Sequence, residues 1–288
     1  MCDLKDFVIE DGVLTEYHGT DSEVVIPDGV TCIGEGAFAC CKTLTSVIIP
    51  DSVQRIDVNA FWACRNLTDI TMGSGVTSIG AHAFAGCQGL TSVTIGSGVE
   101  KIENHVFYEC RNLTSISISA SVELIEEGVF EECDSLTSIT VDEANEYYSS
   151  QNGDLYDKEM ETLIRYAIGK PDTDFPMPES VFRMEVAAFA HSKNLKSITV
   201  SDAMVEIAES AFFACVNLES ITLPDTIGYI GQFAFWCCES LEKITLPRRL
   251  IGIGENAFGN CNKLTVYTYE NSFADDCAKE QGLTIKYL

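Results

Sequence analysis

The sequence has few basic residues and no long apolar run. Its 18 lysines and arginines stand against 44 aspartates and glutamates, which gives a net charge of −26 over 288 residues. A field of that sign repels phosphate backbones and anionic lipid, so we expect neither nucleic acid nor a membrane surface as a partner. No stretch reaches the roughly 18 uninterrupted apolar residues of a membrane-spanning helix, so membrane insertion is not expected either.

Motifs of the common enzyme classes are also missing. There is no P-loop, no GxGxxG, no HExxH and no Ser, His and Asp order typical of hydrolases. The GSG segments at 73–75 and 96–98 follow alternating apolar segments and do not precede a helix, which argues against a phosphate cradle. We therefore expect no enzyme, no cofactor and no bound metal; an undetected metal-dependent enzyme is the weakest alternative.

A repeat of 23 residues is what the sequence does have. A phenylalanine recurs at this spacing in two series, each followed three residues later by cysteine, with Ser192 as the exception, and six residues later by leucine. Segments such as LTSVTI alternate with period 2 and predict half-buried strands, and the GSGV or PDSV segments that follow predict turns. The segment around each phenylalanine is too short for more than one or two helical turns. One such unit buries too little to fold alone, so the coils must stack. The phenylalanines are Phe38, Phe61, Phe84, Phe107 and Phe130, then Phe189, Phe212, Phe235 and Phe258.

The template LxxVxI(P/G)xxVxxIxxxAFxxC resembles the BspA-like class of leucine-rich repeats over residues 20–270. The resemblance implies an α/β repeat solenoid: a curved stack with a concave parallel β-sheet and short helices or turns on the convex side. Members of that class are implicated in adhesion and protein binding. The resemblance therefore implies a non-enzymatic scaffold for a protein or glycoprotein partner, with a structural spacer as the alternative.

The repeat stops once and restarts. Phe130 and Phe189 are 59 residues apart, and the segment between them keeps a strand but lacks the Ala-Phe-x-x-Cys unit. Asn152-Gly153 predicts a tight turn, and DLY against LIRY predicts a hairpin. Aligning FPMPESV on VIIPDSV makes Phe175 and Met177 the inward strand pair. This irregular repeat is either a cap between two arrays or a binding element.

Both ends of the chain are predicted to be caps. Asp11-Gly12 predicts an N-terminal hairpin turn, and Ser272 with Asp275 in capping-box spacing predicts a C-terminal helix that stops at Gly282 before a last strand. The predicted organisation is an N-terminal hairpin cap (1–29), a first array (30–141), the irregular repeat with its hairpin (142–178), a second array (179–270) and a helix–strand cap (271–288).

Thirteen cysteines raise the question of disulfides. Eight lie one coil apart at an inward position, where a thiol behaves as a small apolar group, and the odd total argues against a secreted disulfide framework. The N-terminal MCDLKDFVIEDG has neither the basic nor the apolar region of a secretory signal. These two features favour the cytoplasm, whereas the family resemblance implies a surface or secreted protein whose signal was removed. The sequence leaves the compartment open.

Two further groups of residues are candidates for chemistry on the convex side. His82 and His105 occupy equivalent positions and would be stacked neighbours, either as loop histidines or as a metal pair. The second group consists of aromatic residues that directly follow a core phenylalanine. They are expected to pack half-buried, with a sugar- or protein-binding platform as the alternative. This group is Trp62, Tyr108, Phe213 and Trp236.

The partner is expected on the concave sheet. The residue between the two inward side chains of each strand points outward, which predicts a row formed by Thr71, Thr94, Ser117, Thr140, Thr199, Thr222, Thr245 and Thr268, with Ile48 as the outlier. Charges at the margin of this row cluster in the second array, so we predict the binding surface there. The predicted binding residues are Thr199, Glu219, Thr222, Glu242, Lys243, Thr245, Arg248 and Arg249. We expect a monomer.

Overall fold

The computed structural model describes residues 4–288 and divides the chain into two compact units, one up to Gly153 and one from Asp154. Both are built from coils of a β-solenoid, about 12 in all, with parallel sheets and about 4% helix. The stacked coils that the repeat predicts are confirmed. Each unit begins with a hairpin and continues as a regular array.

The first unit alternates long and two-residue strands. After a 3₁₀ turn at Leu4–Asp6, the strands are β1 (Phe7–Glu10), β2 (Val13–Tyr17), β3 (Glu23–Val25), β4 (Cys32–Ile33), β5 (Ser46–Ile49), β6 (Arg55–Ile56), β7 (Asp69–Met72), β8 (Ser78–Ile79), β9 (Ser92–Thr94), β10 (Lys101–Ile102), β11 (Ser115–Ile118), β12 (Leu124–Ile125), β13 (Ser138–Val141) and β14 (Tyr148–Gln151).

The second unit repeats the design and ends in a helix and a strand. Its elements are β15 (Asp154–Asp157), β16 (Thr162–Arg165), β17 (Asp174–Pro176), β18 (Arg183–Met184), β19 (Ser197–Thr199), β20 (Glu206–Ile207), β21 (Ser220–Thr222), β22 (Tyr229–Ile230), β23 (Lys243–Thr245), β24 (Gly252–Ile253), β25 (Thr265–Thr268), α1 (Phe273–Glu280) and β26 (Thr284–Tyr287).

Each coil contributes one strand to each of two parallel ladders. In the first unit the long strands pair as β3-β5-β7 and β9-β11-β13, and the short strands form β1-β2-β4-β6-β8-β10-β12. In the second unit the long strands form β17-β19-β21-β23-β25-β26 and the short strands form β20-β22-β24. Partners are 23 residues apart in the regular coils, as for Val47 with Ile70 and Ile198 with Ile221. We call the outward surface of the long strands the sheet face.

The core is a column of aromatic rings with aliphatic side chains around it. In the first unit Phe38, Phe61, Phe84 and Phe107 stack with ring centroids 4.9–5.8 Å apart, and each is almost fully buried. In the second unit Phe189, Phe212, Phe235 and Phe258 stack at 5.1–5.3 Å. Aromatic pairs at such distances add about 0.5–1.5 kcal/mol beyond the area they bury, so the repeat length is fixed by ring stacking as well as by strand pairing.

The hairpins also supply a ring to each column, which the sequence did not reveal. Tyr17 of β2 lies 4.9 Å from Phe38, and Tyr166, just after β16, lies 5.3 Å from Phe189. The Tyr17 and Tyr166 amides donate hydrogen bonds to the carbonyls of Ala37 and Ala188 in the next coil. The amides of core phenylalanines make the same kind of bond, as Phe38 does to Ala60. Both hairpins therefore continue the core column of their own unit.

Turns, not short helices, form the segment around each core phenylalanine. The residues two before and two after that phenylalanine have left-handed backbones in all nine coils, for example Asn59 (φ 58°) and Ala63 (φ 56°) around Phe61. Amide groups alternate between a bond within the coil, as Trp62 N–H to Asn59 O, and a bond to the next coil, as Phe61 N–H to Ala83 O. This alternation forms a third ladder of hydrogen bonds between coils and excludes a continuous helix.

The two hairpins, the C-terminal helix and the last strand form where the sequence predicted them. β1 and β2 are antiparallel around Asp11 and Gly12, both left-handed, and β15 pairs antiparallel with β16. At the other end, Ser272 caps α1 by accepting a hydrogen bond from the amide of Asp275. β26 then pairs in parallel with β25.

The hairpin of the second unit contains a buried ion pair. Lys170 Nζ lies 2.9 Å from the Asp154 carboxylate and 4.7 Å from the centre of the Tyr166 ring, and the Ala167 amide also donates to Asp154. Burial raises the pKa of Asp154 to about 6, against the opposing effect of Lys170. This pair satisfies two charged groups that the hairpin buries.

Candidate functional site

The sheet face is the surface on which the sequence placed the partner. Thr199, Thr222 and Thr245 are exposed on β19, β21 and β23, between side chains that point into the core. Thr199 pairs in register with Thr222, so their hydroxyls lie one strand spacing apart, about 4.8 Å. The predicted outward row is therefore real over these three strands.

The predicted row is wrong at its last member. Thr268 is fully buried, and Tyr267 is the residue in register with Thr245. The cause is a coil that is one residue short: Lys243 pairs with Thr265, 22 residues later instead of 23. A one-residue change reverses which face each side chain points to, so Thr268 turns inward.

All eight predicted binding residues are exposed, but they fall into two groups. Six lie on the long strands or directly before them: Thr199, Glu219, Thr222, Glu242, Lys243 and Thr245. Arg248 and Arg249 lie instead in the turn after β23, where the Leu250 amide donates to the Pro247 carbonyl, and Arg248 stands 5.4 Å from the ring centre of Tyr269. The two arginines thus border the sheet face from one side.

Charge on this part of the sheet face is mixed. Lys196 and Glu219 form an ion pair of 3.2 Å with both side chains more than half exposed. Asp174 accepts hydrogen bonds from Ser197 and Thr173, which lower the pKa of its carboxyl group. Exposed pairs contribute little to stability, so these charges are available to select a partner.

The sheet face of the first unit is different because it holds a groove whose lining is nearly uncharged. A groove of about 630 Å³ crosses β7, β9, β11 and β13, and Asp142 is the one ionisable residue among those that line it. Thr140 Oγ1 lies 3.1 Å from Ser117 Oγ, so the hydroxyls also bond to each other. The residues at the centre of the groove are Thr71, Thr94, Ser117 and Thr140. The sequence row includes these residues, but the row does not show that they form a groove.

The ladder thiols are structural. Cys64, Cys87 and Cys110 are fully buried, and each Sγ donates to the carbonyl of the core phenylalanine one coil earlier, at 3.0–3.2 Å. Burial raises the pKa of Cys64 to about 12. The first rung departs from the prediction, since Cys41 is only half-buried. A buried thiol with a raised pKa is a poor nucleophile.

The histidine pair stacks as predicted. The rings of His82 and His105 are 5.1 Å apart, and His105 Nε2 lies 3.4 Å from a Glu131 carboxylate oxygen. Burial, with a smaller effect of His105, lowers the pKa of His82. Within residues 4–288, no group of three or more His, Cys, Asp or Glu side chains is arranged to hold a metal ion.

No helix among residues 4–288 has the length and apolar character needed to cross a membrane.

Stacked coils, parallel ladders and an extended exposed sheet define this protein as a leucine-rich repeat solenoid. The profile of the BspA type leucine rich repeat region matches residues 54–152 and 171–276 with six copies. These ranges cover well over half of the chain, so the chain belongs to the BspA type leucine rich repeat family. A search of curated proteins gives no match.

Solved structures of bacterial leucine-rich repeat proteins are similar in fold. One, from Eubacterium ventriosum, is 26% identical with a TM-score of 0.74, over 89% of this chain and 77% of that one. The pneumococcal vaccine antigen PcpA is 22% identical with a TM-score of 0.72, over 91% and 78%. A leucine rich cell surface protein from Faecalibacterium prausnitzii is 29% identical with a TM-score of 0.56, over 94% of each chain.

Proposed function

We propose that this protein is a non-enzymatic binding scaffold that recognises a protein or glycoprotein partner with the sheet face of its second unit. The observation that carries the proposal is the in-register row of Thr199, Thr222 and Thr245, exposed beside the mixed charges of Glu219 and Lys243. Stacked threonines offer hydroxyl donors and acceptors at fixed spacing, and the marginal charges choose among partners.

An adhesion-type role at a cell surface is part of the proposal. Its support is the likeness to the F. prausnitzii protein, which is described as a leucine rich cell surface protein and is similar over 94% of both chains. A scaffold of this type needs no catalytic residue, because a long sheet face provides the contact area by itself.

A pull-down with labelled protein at physiological salt is the first step of the test. A binder on the sheet face gives a saturable partner from source cells. The double variant Thr222→Arg/Thr245→Arg then inserts two long charged side chains into the row. We expect the affinity for that partner to fall at least tenfold, about 1.4 kcal/mol, without a change in thermal stability, since both positions are exposed.

The matched control places the same two arginines on the first unit. Thr94 and Ser117 are partners on adjacent strands, as Thr222 and Thr245 lie on adjacent strands of the second unit. The variant Thr94→Arg/Ser117→Arg keeps full affinity if the second unit holds the site. Unchanged affinity in the Thr222/Thr245 variant would contradict the proposal, and the absence of any saturable partner would favour a structural spacer.

The groove on the first unit is the second candidate surface. Its volume of about 630 Å³ is the specific observation in its favour, and its hydroxyl lining suits an uncharged polar partner segment. Loss of binding in the Thr94→Arg/Ser117→Arg variant, with the other variant unaffected, would move the binding surface to this groove.

A further inference from the structure

Trp62 stands out among the aromatic residues that follow a core phenylalanine. Its side chain is 45% exposed, and within residues 4–288 it has no ring partner and no hydrogen bond to its indole N–H. The residues in the same position of the coils before and after it are Ala39 and Ala85. Nearly half of the Trp62 side chain is therefore open to solvent.

The other three aromatic residues of this row are occupied by their neighbours. Tyr108 donates a hydrogen bond to Glu132, and the ring of Phe213 lies 5.5 Å from that of His191. Trp236 packs edge-on against a neighbouring phenylalanine ring at 5.5 Å and lies directly over the backbone of Gly259. Neighbouring groups thus account for these three rings, whereas the Trp62 indole keeps an open face without a ring or hydrogen-bond partner among residues 4–288.

A shallow cavity of about 570 Å³ lies against Trp62. It is lined by Glu35, Gly36, Ala39, Asn59 and Trp62. The space exists because Gly36 has no side chain, and a Cβ placed there would meet nothing closer than Ala39 Cβ at 3.8 Å. Two later coils have His82 and His105 in the position of Gly36, which would fill it.

Two polar side chains at this cavity have no partner of their own. Within residues 4–288, neither the amide of Asn59 nor the carboxylate of Glu35 makes a side-chain hydrogen bond or ion pair, and Asn59 is half-buried. In the second unit the equivalent Asn256 bonds to Glu255 at 3.3 Å. The Trp62 cavity thus combines an open aromatic face, a donor amide and an acceptor carboxylate.

We propose that Trp62, Asn59 and Glu35 form a binding site for a neutral pyranose sugar. One face of a pyranose ring presents C–H groups, which pack on an indole, while its edge presents hydroxyls that pair with amide and carboxylate groups. The cavity volume lies within the range of about 300–1,000 Å³ that small ligands occupy. The net charge of −26 disfavours anionic sugars such as sialic acid.

The sugar is favoured over a protein segment because of the size of the site. Specific protein interfaces bury about 800 Å² on each partner, whereas this cavity offers one aromatic side chain and two polar groups. The site involves the turn segments and not the sheet face, so it is independent of the function proposed above. Variants of Thr222 and Thr245 should leave it intact.

A glycan array compares the full-length protein with two matched variants. Trp62→Phe removes the indole at the site, and Trp236→Phe makes the same change at the equivalent position of the second unit. We expect neutral glycans to bind the wild type and the Trp236→Phe variant and to be lost with Trp62→Phe. Absence of any neutral glycan in this pattern overturns the proposal.

The Trp236→Phe variant retains Trp62 as its single tryptophan, since the chain has only two. Its tryptophan fluorescence therefore reports on the Trp62 cavity alone. Titration of its fluorescence with the best array glycan should show a saturable change. Gly36→Asn in that background should weaken binding at least tenfold by filling the cavity, and it should fold, because Asn59 adopts the same left-handed backbone one coil later. Asn59→Ala should weaken binding less.

Three results would contradict the site. Unchanged affinity in both Gly36→Asn and Asn59→Ala places the glycan elsewhere. Equal binding of sialylated and unsialylated forms of the same glycan contradicts a site that selects neutral sugars. Binding of proteins but of no glycan makes Trp62 an anchor for a protein partner. Circular dichroism of each variant confirms that the fold is retained.

Discussion

Single buried donors hold neighbouring coils at a fixed distance. The thiol of Cys110 donates to the Phe84 carbonyl at 3.2 Å, and the same contact recurs from coil to coil. Cysteine suits this position because its thiol is small, apolar and still a weak donor. At the first rung of the second array there is serine, and Ser192 donates to Phe189 of its own coil instead. The repeated cysteine is thus explained by its packing between coils and not by a reactive role of its thiol.

Asp154 gives the second unit a predictable pH dependence. Burial raises the folded-state pKa to about 6 from the ordinary 3.8, so the folded state holds the proton more tightly than the unfolded state. The stabilising contribution of Asp154 is therefore complete below the unfolded pKa and is lost as the pH rises through 6. We expect the unfolding free energy of the wild type, relative to Asp154→Asn, to fall by roughly 1 kcal/mol between about pH 5 and about pH 7.5.

Urea denaturation of both proteins at the two pH values measures this difference. Asp172→Asn is the control, because Asp172 also pairs with Lys170, at 3.2 Å, but is 46% exposed. That variant should show little change with pH relative to the wild type. A wild-type to Asp154→Asn difference that is independent of pH, or that rises with pH, would contradict the assignment.

At the scale of the element, the turn segment sets the geometry of the coil. Left-handed residues four apart reverse the chain twice within each coil, and the amides between them alternate between their own coil and the next. Only some of these left-handed positions are glycine, such as Gly36 and Gly86; others hold alanine, histidine, cysteine or glutamate. An L-residue in this region costs roughly 1–2 kcal/mol, so the ladder between coils compensates for a strain that recurs in each coil.

Replacing a left-handed alanine by glycine should therefore stabilise the protein. Ala63 has φ 56°, and Ala63→Gly should raise the unfolding free energy by about 0.5 kcal/mol. Glycine relieves the backbone strain of the folded state, and this relief should exceed the additional chain entropy that glycine loses on folding. Ala39, in the preceding turn segment, is not left-handed, so Ala39→Gly should lower stability by about the same amount. Urea denaturation measures both. A decrease in the Ala63 variant would show that the strain is relieved in some other way.

The strands and hairpins could be predicted because their signals are local. Period-2 alternation located the long strands, Asp11-Gly12 located the turn of the N-terminal hairpin, and Asn152-Gly153 located the tight turn before β15. The choice between helix and turns in the phenylalanine segment could not be made, because the left-handed positions have no common residue type. Thr268 was wrongly predicted to point outward because its coil is one residue shorter than the regular coils. The strand still contains threonine, so the sequence pattern does not reveal the shift.

The candidate sites were predictable in direction but not in shape. Alternation fixed which residues of the sheet face point outward, and it placed Thr222 and Thr245 correctly. The shape of a cavity depends on where neighbouring coils carry small residues in place of large ones. The cavity beside Trp62 exists because Gly36 and Ala39 are small in the preceding coil, and a residue pattern read one coil at a time does not show this.

At the scale of the whole molecule, excess negative charge opposes folding. Even if each of the 18 basic residues paired with one acidic residue, 26 of the 44 carboxylates would remain without a cation. Partly exposed pairs such as Lys101 with Glu126, at 2.8 Å, offset little of this, because the net contribution of a pair near the surface is about 0–1 kcal/mol. Compact coils bring like charges closer together than the unfolded chain does, so repulsion lowers the unfolding free energy.

Salt should therefore stabilise this protein. Raising the ionic strength from about 0.01 M to about 0.15 M shortens the screening length from about 30 Å to about 8 Å, which weakens long-range repulsion more than it weakens pairs in contact. We expect the midpoint of thermal unfolding, followed by circular dichroism, to rise by several degrees in NaCl. KCl at equal ionic strength is the control and should give the same rise, because screening does not depend on which monovalent cation is present. A midpoint that falls or stays constant would show that the ion pairs outweigh the 26 excess charges, and a rise in only one of the two salts would indicate specific cation binding.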